Sequence, residues 1–217
     1  MRVLRLTRLS AATLGLASAA AACEIPPGEL PNNIPGPFGV RLQNASYPQI
    51  DQQFLNIWDW GGGDQHLFVS PGGNATSELT LVDGVVTLPW DPPRRIVING
   101  EYEVRDNTTK MFMTERGDPR AVFDVVYGCN PVTDDLQVEL KVRSRGDLEL
   151  GGDVGVRPFN GFYDFRWRPS GTTIHDDERP WIKVTLVVYD GARPEQLALL
   201  SDPSPQPGRL VRRNLVA

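Results

Sequence analysis

The chain has 217 residues, 40% of them hydrophobic and 23% charged, and a formal net charge of −5. That is enough apolar material for one buried core or two small ones, and the acidic balance argues against nucleic acid or an anionic membrane as a partner. Beyond the N-terminal stretch, no segment is long and apolar enough to cross a bilayer as a helix.

Residues 1–22 have the layout of a signal peptide. Arg2, Arg5 and Arg8 precede a small, apolar run that ends in alanines. A mitochondrial presequence shares the arginines, the serines and the lack of acids. A lipoprotein signal would use Cys23, but the leucine usual three places earlier is Ala20 here. Loss of this segment, with its three arginines and no acid, takes the net charge from −5 to −8. Residues 23–36 carry four prolines and read as an extended leader, because proline fixes φ and lacks an N–H.

A single β domain is expected over 37–190. Strands are predicted at 38–43, 54–60 and 66–70, the last closed by Pro71-Gly72-Gly73. The strongest local signal is Asp83-Gly84 between two β-rich runs. A two-residue turn there pairs Val82 with Val85, Leu81 with Val86, Thr80 with Thr87 and Leu79 with Leu88. Leu79, Leu81, Val86 and Leu88 then share one aliphatic face. Asn99-Gly100 proposes a second hairpin, but a tight turn would set Ile98 against Glu101. Pairing Ile98 with Tyr102 and Ile96 with Val104 needs a three-residue loop or a bulge.

Further strands are expected at 110–113, 121–126, 136–143, 154–156, 162–167 and 182–188. In 136–143 the alternation of Leu136, Val138, Leu140 and Val142 with Gln137, Glu139, Lys141 and Arg143 predicts one wet face. Residues 191–217 hold a short helix-like piece and a Pro-rich tail. Many short strands with turns predict an all-β fold. An antiparallel β-sandwich is expected first, with a closed β-barrel or a trefoil-like fold as alternatives and at most one short C-terminal helix.

Catalytic patterns are absent: no G-x-S-x-G, H-E-x-x-H, C-x-x-C or phosphate-cradling glycine loop occurs, and no cofactor or metal is implied. Asp64-Gln65-His66 and His175-Asp176-Asp177 would make an oxygen–nitrogen metal set only by meeting in space. Glu101, Glu103 and Glu139 fall where solvated strand faces are expected. Trp58 and Trp60 are two apart on one strand, so both face the same way. Beside Gly61-Gly62-Gly63 they would form a platform for a sugar ring, with Asp64 and His66 as polar neighbours; plain packing is the competing reading. Trp90, Trp167 and Trp181 are taken as structural. Asn44, Asn74 and Asn107 open N-x-S/T sequons, and all three are expected to be glycosylated if the chain is exported. Cys23 and Cys129 either pair in an oxidising compartment or separate when the signal is removed.

Phe38-Gly-Val-Arg41, Gly61-Gly-Gly-Asp-Gln-His-Leu-Phe68, Val82-Asp-Gly-Val85, Thr109-Lys-Met-Phe-Met-Thr-Glu-Arg-Gly-Asp118 and Ile182-Lys-Val-Thr-Leu-Val-Val188 resemble an uncharacterised domain of secreted filamentous-fungal proteins. The resemblance implies fungal origin and export, and carries no site residues with it. Two functions are therefore expected of the chain: a secreted, extracellular or wall-associated module that binds cell-wall polysaccharide without catalysis, or a secreted polysaccharide hydrolase.

Overall fold

The structure is a computed structural model that describes residues 22–59 and 64–189. Its strands in chain order are β1 (Ile34–Gln43), β2 (Phe54–Asp59), β3 (Gln65–Ser70), β4 (Leu79–Val82), β5 (Val85–Leu88), β6 (Arg94–Glu103), β7 (Thr108–Thr114), β8 (Ala121–Cys129), β9 (Leu136–Arg145), β10 (Gly152–Phe159), β11 (Phe162–Pro169), β12 (Ile182–Lys183) and β13 (Thr185–Tyr189). A single 3-10 turn, Gly72–Asn74, is the only helical piece among the described residues. The helix expected within 191–217 and the side chain of Trp60 lie outside them.

The sheet closes on itself. Its ring runs β11-β3-β2-β1-β13-β9-β8-β5-β6-β7 and returns to β11, a 10-stranded antiparallel barrel. The sandwich expected first is not confirmed, and the barrel named as its alternative is found. The reason is β7, which pairs with β6 on one side and with β11 and β3 on the other. Closure thus supplies the wall that a second sheet would otherwise provide. β4 spans β1 and β5, while β10 and β12 extend outward from β11. Apolar residues such as Leu42, Leu55, Leu67, Ile98, Met111 and Phe165 fill the interior.

The Asp83-Gly84 hairpin has the expected register, with Thr80 opposite Thr87, Leu81 opposite Val86 and Val82 opposite Val85. Asp83 and Gly84 have φ of 49° and 78°, as the two-residue turn requires. Leu79, Leu81, Val86 and Leu88 are all buried.

Asn99-Gly100 is not a turn. β6 runs through it with a bulge, and the chain reverses between Glu103 and Thr108 instead. Ile96 and Ile98 pair with Met113 and Met111 of β7, so their apolar partners come from the next strand rather than from Val104 and Tyr102. Glycine suits this position because a Cβ on Gly100 would sit 2.7 Å from Lys110 Cβ.

The 23–36 stretch is extended but it is part of the fold. Leu30 and Ile34 are buried, and β1 begins at Ile34 rather than at Phe38. Asn32 and Asn33 anchor it by accepting hydrogen bonds from three backbone N–H groups. Gly84 N donates to Asn32 O (2.7 Å), Asp83 N to Asn33 Oδ1 (2.9 Å), and Val125 N to Asn32 Oδ1 (3.0 Å). Cys23 is disulfide-bonded to Cys129, which ties the start of this stretch to the end of β8.

The polar face of β9 is only half wet. Lys141 and Arg143 are exposed, but Gln137 and Glu139 are buried. Gln137 Nε2 donates to Gln43 Oε1 (2.8 Å) and Glu139 Oε1 (3.0 Å). Glu139 lies over Gly128, where a Cβ would collide with its carboxylate.

Candidate functional site

The barrel closes through a fork. β7 pairs with β11 at Lys110–Arg166 and Thr109–Trp167, then with β3 at Phe112–His66 and Met113–Gln65. β11 leaves β7 and meets β3 at Asp164–Phe68. Side chains alternate across a strand. Because Met111, Met113, Leu67, Phe165 and Trp167 enter the core, Lys110, Phe112, His66, Phe68, Asp164 and Arg166 share the outer face. By the same parity β10 adds Arg157 and Phe159, since Val154 and Val156 point inward.

This outer face is nonetheless sealed at its centre. Phe68, Asp164 and Arg166 are all 0% exposed. Trp58, paired with His66 across β2 and β3, lies half-buried against Phe68. Its ring is 5.1 Å from that of Phe68 and 4.8 Å, edge to face, from that of Phe162. Lys110 Nζ lies 4.6 Å from the Phe159 ring centroid and 3.7 Å from Asp164 Oδ2. These contacts combine cation–π and ion-pair attraction away from water.

The charges continue beyond the fork. Arg166 Nε donates to Thr108 Oγ1 (2.7 Å), and its NH1 lies 3.4 Å from Asp164 Oδ2. Arg157 NH1 reaches Glu103 Oε2 (3.3 Å) and Asp106 Oδ2 (3.7 Å). Arg179 NH2 meets Glu103 Oε2 (2.7 Å) and Asp176 Oδ2 (3.6 Å), which ties the loop after β11 to the β6–β7 turn. Glu103 was expected on a solvated face. It is instead shared by two arginines, and the Arg105 backbone N–H, then Arg179 and Arg157, hold its carboxyl below the usual range.

Burial pushes the Asp164 carboxyl up, against the opposing pull of Arg166 and Lys110. Such a group is chemically suited to proton donation, but with no exposed surface it has no access to a substrate. Burial, then Lys110, pushes the His66 imidazole down, while Asp64 and Asp164 oppose the shift. His66 is therefore biased toward its neutral form.

Of the four residues expected in a binding site, the structure places Trp58 and His66 side by side on the rim of this face. Asp64 is half-buried and opens on a recess of about 200 Å³ with Asn99, Phe112 and Arg116. Trp60 lies outside the described residues. The sequence reading missed Lys110, Arg157, Asp164 and Arg166. The alternation Tyr163, Asp164, Phe165, Arg166, Trp167 marks a two-faced strand, but nothing in it shows that the charged face is covered.

The other expected sites are dispersed. His175 is exposed and pairs with Asp177 (3.4 Å), far in sequence and in partners from His66. Among the described residues no three His, Cys, Asp or Glu side chains gather as a metal set would. Trp167 is in the core, whereas Trp90 is 47% exposed with Arg94 over its ring, and Trp181 is half-buried under Arg168.

With this geometry the family match is consistent. The chain belongs to the family described as Domain of unknown function (DUF7909), matched over residues 24–191. The match begins within the proline-containing stretch that the structure folds against the β4–β5 turn and β8. No curated protein and no solved structure matches the chain.

Proposed function

We propose that this domain is exported and binds carbohydrate outside the cell, holding a sugar ring against Trp58 without cleaving the glycan. The observation that carries the reading is the half-exposed Trp58 ring. Phe68 and Phe162 fix its orientation, and His66 stands beside it. A ring held in one orientation loses little freedom on binding, and its face suits the apolar C–H face of a sugar. His66, on the same face as the ring, is its polar neighbour across the hairpin.

The hydrolase reading has less support at this face. It requires two accessible carboxylates about 5–10 Å apart. The acid at the centre of the face, Asp164, is sealed and paired with two cations.

The test is retention on insoluble cell-wall polysaccharides, followed by Trp58→Ala. Retention should fall about tenfold, the equivalent of roughly 1.4 kcal/mol. Trp90→Ala, which removes an exposed tryptophan from the β5–β6 loop, should leave it unchanged. Equal loss in both variants, or none in Trp58→Ala, would remove the reading. Release of soluble sugar from the polysaccharide would favour the hydrolase.

A further inference from the structure

We propose that the folded, exported protein carries an N-linked glycan on Asn74 and none on Asn44 or Asn107. The inference rests on the export reading. In the transfer, Asn Nδ2 forms a bond to the anomeric carbon of a lipid-linked oligosaccharide diphosphate. The anomeric C–O bond breaks, the lipid diphosphate leaves, and Nδ2 gives up one of its two protons.

The three sequons differ in what the fold does with that nitrogen. Asn44 Nδ2 donates to Lys183 O (2.7 Å), and its Oδ1 accepts from Ser46 N (3.0 Å). Asn107 Nδ2 donates to Thr172 Oγ1 (2.9 Å), its Oδ1 accepts from Tyr102 OH (3.0 Å), and its φ is 54°. Both side chains are half-buried and hold separate chain segments together. A glycan placed on either before folding keeps that side chain out of its contact, so a chain modified there does not reach the folded, secreted state.

Asn74 is exposed at the end of the 3-10 turn. Only its backbone is bonded, with N donating to Pro71 O (3.0 Å) and O accepting from Ser70 Oγ (3.4 Å). Its side chain is left to solvent. The sequon hydroxyl, Thr76 Oγ1, donates to Asn56 Oδ1 (3.1 Å) and accepts from Ile57 N (3.1 Å). Transfer therefore precedes the docking of Thr76 on β2, as it does when the chain is modified while entering the secretory route.

The full chain is produced in a eukaryotic secretory host, and the secreted product is weighed before and after peptide-N-glycosidase. Tryptic peptides then show which asparagine became aspartate. One glycan at Asn74 is expected. Asn74→Gln should give the enzyme-treated mass directly, while Asn44→Gln and Asn107→Gln should keep the glycan. An unmodified Asn74 in the secreted protein, or a glycan on Asn44 or Asn107, overturns the inference. A chain that stays inside the cell counts against the export reading alone. Production behind a foreign signal peptide then tests the site by the same two outcomes.

Discussion

Replacing Asp164 by Asn removes one charge from the fork and leaves its volume almost unchanged. Asp164 Oδ2 lies 3.7 Å from Lys110 Nζ and 3.4 Å from Arg166 NH1, with all three side chains at most 9% exposed. At an effective dielectric near 20, each attraction is worth about 4–5 kcal/mol, most of it offset by the cost of removing the charges from water. Without the carboxylate that desolvation cost remains and the compensation is gone. Breaking a buried pair costs about 3–5 kcal/mol. Arg166 keeps Thr108 Oγ1 and Glu101 O, and Lys110 keeps the Phe159 ring, so the lower end is expected. With a urea m-value of about 2 kcal/mol/M, a loss of about 3 kcal/mol lowers the unfolding midpoint by about 1.5 M. Adding Lys110→Met to Asp164→Asn removes a cation left without its partner. The double variant should recover about 1 kcal/mol relative to additivity. A midpoint within about 0.3 M of the parent, or strict additivity, would mean that water reaches these charges and that the face is not sealed.

Three further outcomes follow from the fold. The Cys23–Cys129 disulfide closes a loop with a sequence separation of 106, so the Cys23→Ala/Cys129→Ala variant should lose about 2–4 kcal/mol in urea unfolding; equal midpoints for the two proteins would refute this. Gly100→Ala places a Cβ 2.7 Å from Lys110 Cβ and 2.8 Å from its carbonyl oxygen, an overpacking worth about 1–3 kcal/mol. Gly73→Ala, with nothing within 4 Å, is the control and should be near neutral. Because burial and Lys110 hold His66 below its ordinary 6.5, the unfolded chain binds a proton that the folded chain rejects. Stability should therefore be whole above pH 6.5 and decline as pH falls below it toward the folded value. Urea midpoints across this range should slope in the parent and flatten in His66→Asn; parallel slopes would exclude His66 as the cause.

Much of the architecture was legible because period-2 patterning and turn chemistry act locally. Asp83-Gly84 sits between runs whose aliphatic residues fall on one face only in the observed register, so turn and burial demand the same pairing. Asn99-Gly100 carries the same local signal and misleads, because an Asn-Gly pair also suits a bulge. The choice was made by β7, whose Met111 and Met113 offer Ile98 and Ile96 better partners than Tyr102 and Val104 do. Barrel and sandwich present the same alternation along each strand, so the choice between them depended on pairings distant in sequence. The leader was misread for a related reason. Its prolines lack the N–H of an ordinary ladder, but Asn32 and Asn33 accept hydrogen bonds from the β4–β5 turn and β8, and Leu30 and Ile34 bring apolar surface into the core.

The fork links this architecture to the candidate site. Where three strands meet, the ladder is thin: β7 meets β11 and β3 at two residue pairs each, and β11 meets β3 at one. Cohesion there passes from backbone hydrogen bonds to side chains, which explains why aromatic rings and ion pairs lie on the outside of the barrel. It also divides the face by role. Phe68, Lys110, Asp164 and Arg166 form a buried floor that holds the closure. Trp58, Phe162 and His66 form a rim that retains exposed surface. A ligand meets only the rim, so changes in the floor should act through stability, and changes in the rim should act on binding while the fold persists.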